Sequence, residues 1–484
     1  MKASLIQTDC SHIFLLLLVL AASSPGTSRG AERLVPSQYP NIQAAVDAAS
    51  SGDTIRIAAG HYFEQVIIST KNNLTLVGTP PDTTPGPLLI GGPAIESDEA
   101  GTVLYAMTGM SQTLQPNTSA RAVLGVLRSD NITVRGITFD GQHLGGLDSP
   151  AILVGVFYVS SSGLVEKCTI RGFRAESGGY GARGYCGWNP ARPLVLEVAV
   201  VNSSFQDNGY SIVLGGNDSN APSLHRLQFK VEGNSFTGLG ASAPFFQHGG
   251  IFVTVGAEGS IIGNAITDHV YNGFEDGAFG IAGNDGGFRQ RGYFLPIRPV
   301  VFSGNVFSNN TAHLVTANSH RSTITNNVFL ATASESPWAA LTLSGENIAI
   351  ADNNFANCPE AIRLWGANDA YADVPVGIAK NIDIFGTWFT NVTTTIQTGE
   401  LATFDEIGTE LCCFAPEFQA LELSDDSKIH ARVRSWHNSP LVIESSPDLK
   451  NWSALGTNTP ALPVFQFADT ETRASARFYR ARNK

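Results

Sequence analysis

Charge is scarce in this chain. Only 15% of its 484 residues are charged, lysine is rare, and 42 acids against 30 bases leave a formal net charge of −12. That balance excludes nucleic acid and an anionic membrane surface as electrostatic targets. It also argues against broad capture of a polyanion, leaving that role only to a local basic patch. Cysteine is sparse: Cys10 precedes an N-terminal apolar run, and the other five (168, 186, 358, 412 and 413) are an odd number that completes no disulfide framework. Cys186 reads as a loop thiol with a potential partner, Cys412-Cys413 as a vicinal pair, and no metal-ligand spacing is present. Long hydrophobic runs are missing too. The N-terminal run, Ile13 to Ala22, has ten residues, half of the roughly 20 needed to span a bilayer. With Lys2 ahead of it and the small Ala21, Ser23 and Ser24 at its end, residues 1–30 read as a secretory signal. The expected location is therefore secreted, periplasmic or cell-surface.

Glycine is plentiful, at 49 residues, and one short phrase recurs. It runs Cys168-Thr169-Ile170, Ser203-Ser204-Phe205, Asn234-Ser235-Phe236, Asn264-Ala265-Ile266, Asn305-Val306-Phe307, Asn327-Val328-Phe329 and Asn353-Asn354-Phe355, at steps of 35, 31, 30, 41, 22 and 26 residues. Apolar pairs such as Ile261-Ile262 and Val300-Val301 lie shortly before most of them. Self-similarity at such a period is the signature of a stacked solenoid. Each phrase predicts a short strand, a turn at Asn, and a second short strand with Phe or Ile inward. Asn tolerates the left-handed backbone and bonds its own backbone. Turns stacked about 4.8 Å apart let such side chains bond along the column. Cys168, at the Asn position of its coil, reads as a small buried hydrophobe. An antiparallel sandwich would not repeat one phrase seven times.

The chain enters this solenoid through an amphipathic helix, Ile42 to Ala49, ended by Gly52-Asp53, then strands at Thr54–Ile57, Val66–Ile68 and Leu74–Gly78. A helix there covers apolar side chains and strand edges that the first coil would expose. The segment Tyr39 to Ile68, "YPNIQAAVDAASSGDTIRIAAGHYFEQVII", resembles the N-terminal cap and first coil of right-handed parallel β-helix proteins of the pectin-lyase-like superfamily. The resemblance covers roughly residues 35 to 400 and implies an all-β fold: a right-handed parallel β-helix with an N-terminal capping helix. No catalytic set of that superfamily carries over whole. Pectinesterases share only Gly60-His61-Tyr62-Phe63-Glu64, Gln247-His248-Gly249 partly echoes polygalacturonases, and Thr267-Asp268-His269 weakly echoes alginate epimerases.

Residues 79 to 121 read as an irregular Pro/Thr-rich insertion with a short strand at Leu88-Leu89-Ile90, and regular coils resume at Ala122. The expected organisation is a signal over 1–30, a β-helix over 31–400, a linker over 401–419 and a small β-module over 420–484. "LVIESSPDLKNWSAL" (Leu441 to Leu455) and "RFYRA" (Arg477 to Ala481) are similar to a C-terminal module of secreted proteins from environmental bacteria. That likeness implies a sandwich half-related to fibronectin type III and a bacterial source. Sorting, capping, binding and attachment to the cell envelope all remain open for it.

Solenoids concentrate function in loops that share a face. The longest step, 264 to 305, holds Asp268, His269, Tyr271, Glu275, Asp276, Arg289 and Arg291. The turn after each phrase should bring Asp207, His248, His269 and His313 side by side on one edge, with Arg363 outward on the same sheet. His248 or His269 is the candidate base, Asp268, Glu275 or Asp276 the acid or orienting group, and Arg289 or Arg291 the clamp on a uronate carboxylate. Paired carboxylates would instead suit glycoside hydrolysis. Tyr180, Tyr185, Trp188, Tyr210, Tyr271 and Trp365 are candidates for stacking on sugars, with His313 and Arg363 as further substrate contacts. No cofactor is expected, although the Asn284–Gly287 loop could hold Ca²⁺. Each feature also has a plain structural account, as a surface hydrogen-bonder, an Asx-turn or a local core. The composite expectation is a secreted protein that binds a polysaccharide, with lyase, hydrolase or epimerase chemistry within reach. The alternative is a non-enzymatic cell-surface or adhesive scaffold.

Overall fold

The structure is a computed structural model that describes residues 30–78, 102–105, 120–143, 152–174, 183–189, 195–216, 226–240, 249–254, 256–270, 279–283, 298–332, 338–371, 374–375, 377–407, 417–423, 429–434, 441–448, 450–458, 464–469 and 478–483. From the first strands to Ile407 the chain winds in coils of three short strands. One coil consists of Val195–Val201, Ser204–Gln206 and Tyr210–Gly216. Each strand pairs in parallel with its equivalent in the next coil: Val200 opposite Val231, Phe205 opposite Phe236, Ile212 opposite Ile251. The three resulting sheets are called here 1, 2 and 3, in the order the chain visits them within a coil. One strand, Leu341–Ala351, runs unbroken around the corner from sheet 3 to sheet 1, pairing with Ala312–His320 at one end and Thr323–Thr325 at the other.

The recurring phrase is the corner from sheet 1 into sheet 2. The left-handed residue lies one position before the ladder residue: Asn202, Gly233, Gly263, Gly304 and Asn326 have φ of 50°, 66°, 64°, 65° and 56°. The ladder Asn itself points inward. Asn264 Nδ2 donates to Asn305 Oδ1 at 2.9 Å, Asn305 Nδ2 to Asn327 Oδ1 at 2.9 Å, and Asn327 Nδ2 to Asn353 Oδ1 at 3.0 Å. Backbone N–H groups join in, so each amide oxygen accepts twice from the coil before it. Ser203 and the buried Cys168 hold the same position where the ladder begins. Two residues on, the inward rings of sheet 2 stack: Phe307 and Phe329 at 4.9 Å, Phe329 and Phe355 at 4.5 Å. Buried polar groups that are fully paired, next to a stack of rings, lock the register of every coil.

The helix α1, Ile42–Ala48, closes the N-terminal end. Asn41 caps it, Glu64 accepts from the free N–H groups of Ile42 and Gln43, and Ile42, Ala45 and Val46 are buried. A strand at Thr102–Tyr105, which the sequence pattern does not reveal, supplies the second rung of sheet 2 between Gly60–Tyr62 and Ile137–Asp140. The segment proposed for Leu88 to Ile90 lies outside the described residues. Parallel pairing persists beyond the last phrase, with Phe404–Ile407 on Ala379–Phe385. Beyond it the strands turn antiparallel. Glu417–Leu423, Ile429–Arg434 and Val464–Asp469 form one sheet; Ser453–Asn458, Leu441–Ser446 and Phe478–Asn483 form another. Val433, Leu441 and Ile443 are their shared core.

Candidate functional site

The corner from sheet 2 into sheet 3 obeys a strict count. Two residues past the inward Phe or Ile stands an outward residue: Gly172, Asp207, Gly238, Asp268 and Asn309 share this column, because each N–H reaches the carbonyl one coil on. Gly172, Asp207, Asp268 and Asn309 are left-handed, with φ of 68°, 52°, 61° and 50°. Three residues past the ring, the side chain turns in: Phe173, Asn208, His269 and Asn310 are all buried. Asn208 and Asn310, three coils apart, each bond back to the coil before: Asn208 Oδ1 accepts from Phe173 N at 3.0 Å and its Nδ2 donates to the Ile170 carbonyl at 2.9 Å. Asn310 Oδ1 accepts from His269 N at 3.0 Å, and Asn310 Nδ2 donates to the Ile266 carbonyl at 3.0 Å.

This count corrects the expected edge. Asp207 and Asp268 are on it, but His269 is one residue too late and lies inside, 0% exposed. A Cβ on Gly250 would come within 3.2 Å of its Nε2. His313 is inside as well, on the strand Ala312–His320, with ring centroids 5.9 Å from Phe307 and 6.1 Å from Phe329. Its Nδ1 accepts from Asn310 Nδ2 at 3.0 Å. Burial drives its pKa down to about 3 against a small opposing effect of the Leu330 carbonyl, so it is a neutral structural imidazole. His248 lies outside the described residues.

The edge instead gathers a different set. Asp207 Oδ2 lies 2.5 Å from His143 Nε2 and its Oδ1 lies 2.7 Å from Arg174 Nε. The three residues come from three successive coils, and their side chains are 36% (His143), 37% (Asp207) and 21% (Arg174) exposed. His143 must therefore cross the intervening coil, a span of about 10 Å between alternate rungs. It crosses over Gly172, where an added Cβ would sit 3.4 Å from the His143 Cδ2. His143 N also donates to the Gly172 carbonyl at 2.9 Å. Beside this set, Arg171 Nε donates to Asp140 Oδ2 at 3.0 Å, and further along the column Asn309 Nδ2 donates to Asp268 Oδ1 at 2.7 Å. In the tautomer that donates Nε2–H to the carboxylate, an imidazole carries its lone pair on Nδ1.

The remaining candidates are dispersed. Tyr185 faces the solenoid interior, 0% exposed, with Tyr158 at 5.9 Å, and is a core residue. Cys186, next to it, is not a loop thiol: it lies on the strand Arg183–Asn189 and is buried with Phe157 and Val213. Tyr210 is half-buried on the outer face of sheet 3, tilted against Phe252 at 5.7 Å. Trp188 lies on the same sheet opposite Val159. Arg363 is outward in register with Thr342, and its Nε donates to Glu360 Oε1 at 2.8 Å. Trp365 is buried, edge-on to Trp338. Tyr180, Tyr271, Glu275, Asp276, Arg289, Arg291 and the 284–287 loop raised for Ca²⁺ lie outside the described residues. Among the described residues, no group of three or more metal-ligating side chains gathers, and no helix is long and apolar enough to cross a membrane. The outer face of sheet 3 is largely apolar: Val154, Phe157, Val159 and Val213 in one cluster, Phe279, Val315 and Trp365 in another, all buried.

Arg174 stands four residues past Ile170 of the first phrase, whereas His143 and Asp140 belong to the coil before it. The signal was present one coil earlier, in Gly136-Ile137-Thr138-Phe139, where the same count past Phe139 leads to Asp140 and Gly141. Compared with known proteins, residues 194–373 match the family described as "Right handed beta helix region". No curated protein matches. Among solved structures, the chain is similar to the Azotobacter vinelandii mannuronan C-5 epimerase AlgE6 A-module, at 13% identity and a TM-score of 0.39, covering 76% of this chain and 93% of that one. It is also similar to a mannuronic acid specific family 6 lyase from human gut microbiota, at 10% identity, a TM-score of 0.41 and 78% of each chain. A third is the Yersinia enterocolitica family 28 exopolygalacturonase, at 11% identity and a TM-score of 0.38, over 77% of this chain and 75% of that one. At these identities and TM-scores the likenesses carry no argument of their own.

Proposed function

We propose that this chain, a right-handed parallel β-helix protein of the pectin-lyase-like superfamily, is a secreted protein that binds a uronate-containing polysaccharide and acts on it at the corner formed by His143, Arg174 and Asp207. The observation that carries this reading is the bridging of one half-exposed carboxylate by an imidazole and a guanidinium from neighbouring coils. Asp207 orients His143 and stabilises the imidazolium that forms when Nδ1 takes a proton, as the carboxylate of an Asp–His pair does. Arg174 supplies fixed positive charge beside it. A proton α to a uronate carboxylate becomes removable when a cation neutralises the carboxylate and a base stands nearby. This favours lyase or epimerase chemistry over hydrolysis, which needs two carboxylates set apart for acid and base work.

The test is a screen of the purified protein on uronate-containing and neutral polysaccharides, recording reducing ends, unsaturated products by ultraviolet absorbance, and C5 inversion by NMR. Turnover on a uronate polymer that falls by about 10²- to 10⁴-fold in His143→Ala supports the reading. Turnover undiminished in that variant sinks the site. The second reading, a non-catalytic surface scaffold, is favoured by the buried apolar outer face of sheet 3. Absence of turnover and binding on every glycan would select it.

A further inference from the structure

The sequence motif between Leu441 and Leu455 converges with the strand Phe478–Asn483 on one face of the C-terminal sheet. Glu444 lies opposite Arg480, and Val442 opposite Arg482. The Glu444 side chain, 9% exposed, accepts from Arg480 Nε at 2.7 Å and Arg482 Nε at 3.2 Å. Both guanidinium groups are thus held through Nε on one carboxylate. They remain open to solvent, with side chains 46% and 54% exposed. Being two residues apart on a strand, they stand about 7 Å from each other.

The rest of the motif builds the aromatic side of this face. Asp448 accepts from Lys450 N at 2.9 Å, Asn451 N at 2.8 Å, Asn451 Nδ2 at 2.8 Å and Ser446 Oγ at 3.0 Å, so one carboxylate holds the whole turn. That turn delivers Trp452, whose ring lies 4.2 Å from the Arg480 guanidinium carbon. Phe478, on the same face of its strand, is 41% exposed. The result is a rigid platform with two cations, one acid and two aromatic rings, in a chain whose overall charge is −12.

We propose that this platform is a second glycan-binding site, separate from the His143 corner, that takes a carboxylate-bearing polysaccharide. The planar fork of each arginine matches a carboxylate in two parallel hydrogen bonds. Trp452 and Phe478 add the aromatic surface that the C–H groups of a sugar ring pack on. A nucleic acid fits poorly, because two cations cannot offset its dense phosphate charge against a net-negative chain. The site shares its ligand class with the proposed function and none of its residues.

The experiment is calorimetric titration of the full chain with hexagalacturonate and, as the neutral probe, maltohexaose. Wild type is expected to bind the uronate hexamer with affinity that falls as salt is added, and to bind maltohexaose at least tenfold more weakly. Arg480→Gln/Arg482→Gln should weaken uronate binding at least tenfold. Arg482→Gln alone, which leaves the Arg480–Trp452 stack in place, should weaken it about threefold with an unchanged circular dichroism spectrum. Equal binding by Arg482→Gln and wild type, or equal affinity for the two hexamers, overturns the proposal. So does loss of binding in His143→Ala with retention in the arginine variants, which would put the binding site at the corner. Absence of turnover would remove the catalytic reading and leave this binding result intact.

Discussion

Replacing Asn305 by Ala tests what holds the coils in register. Asn305 is fully buried, and its side chain makes four hydrogen bonds. Its Oδ1 accepts from Asn264 N at 3.0 Å and Asn264 Nδ2 at 2.9 Å, and its Nδ2 donates to the Ile261 carbonyl at 2.8 Å and Asn327 Oδ1 at 2.9 Å. The partners do not suffer equally. Asn264 Nδ2 keeps the Val231 carbonyl and Asn327 Oδ1 keeps the Asn305 N–H, but the Asn264 N–H loses its acceptor inside the protein. An orphaned buried amide costs about 1–3 kcal/mol and each of the three further lost bonds about 0.5–1.5 kcal/mol, so Asn305→Ala should destabilise by about 3–7 kcal/mol. Asn305→Ser should cost only about 1–2 kcal/mol, because Ser203 shows the substitute geometry. Its Oγ accepts from Cys168 N at 3.1 Å and donates to the Val201 carbonyl at 3.0 Å. Urea unfolding gives the totals, and amide exchange at Asn264 reports the orphaned group directly. If Asn305→Ala and Asn305→Ser fall within about 1 kcal/mol of each other, the ladder is not held by satisfied polar groups and the argument fails.

Two further outcomes follow from buried groups. His313 has a folded pKa depressed from 6.5 to about 3, so the unfolded chain binds the extra proton first. Its contribution to stability is full above about pH 6.5 and is lost as pH falls toward 3, at about 1.4 kcal/mol per pH unit. His313→Gln should accordingly remove about 3 kcal/mol of the stability loss seen between pH 6.5 and 4 in urea titrations; parallel acid limbs in the two proteins would refute this. At the corner, Gly172→Ala adds a methyl group 3.4 Å from the His143 ring at a left-handed position. Stability should fall by only about 1 kcal/mol, while any His143-dependent turnover drops at least tenfold with a shifted pH profile. An unchanged profile would show that His143 does not act across this glycine.

The architecture was legible because it is periodic. The Asn-x-Phe beat reports inward contacts that every coil must repeat, so ladder, ring stack and capping helix can all be read from spacing. Legibility ended where periodicity did. Thr102–Tyr105 escaped notice because a lone rung within a Pro/Thr-rich stretch carries no phrase. Spacing puts His269 on the edge and the structure puts it inside, because a shift of one residue decides inside from outside. Asp268 stands at the outward count and His269, its neighbour, is sealed.

The sequence by itself therefore determined the winding and the kind of residue at each turn, because these depend on local backbone preference and on a burial pattern repeated many times. Tertiary structure alone decided which side chains meet. His143 and Asp207 are 64 residues apart and touch only because two coils of stacking bring them onto one edge and Gly172 leaves the path between them open. No local rule encodes that meeting; it exists only once the rungs are counted in space.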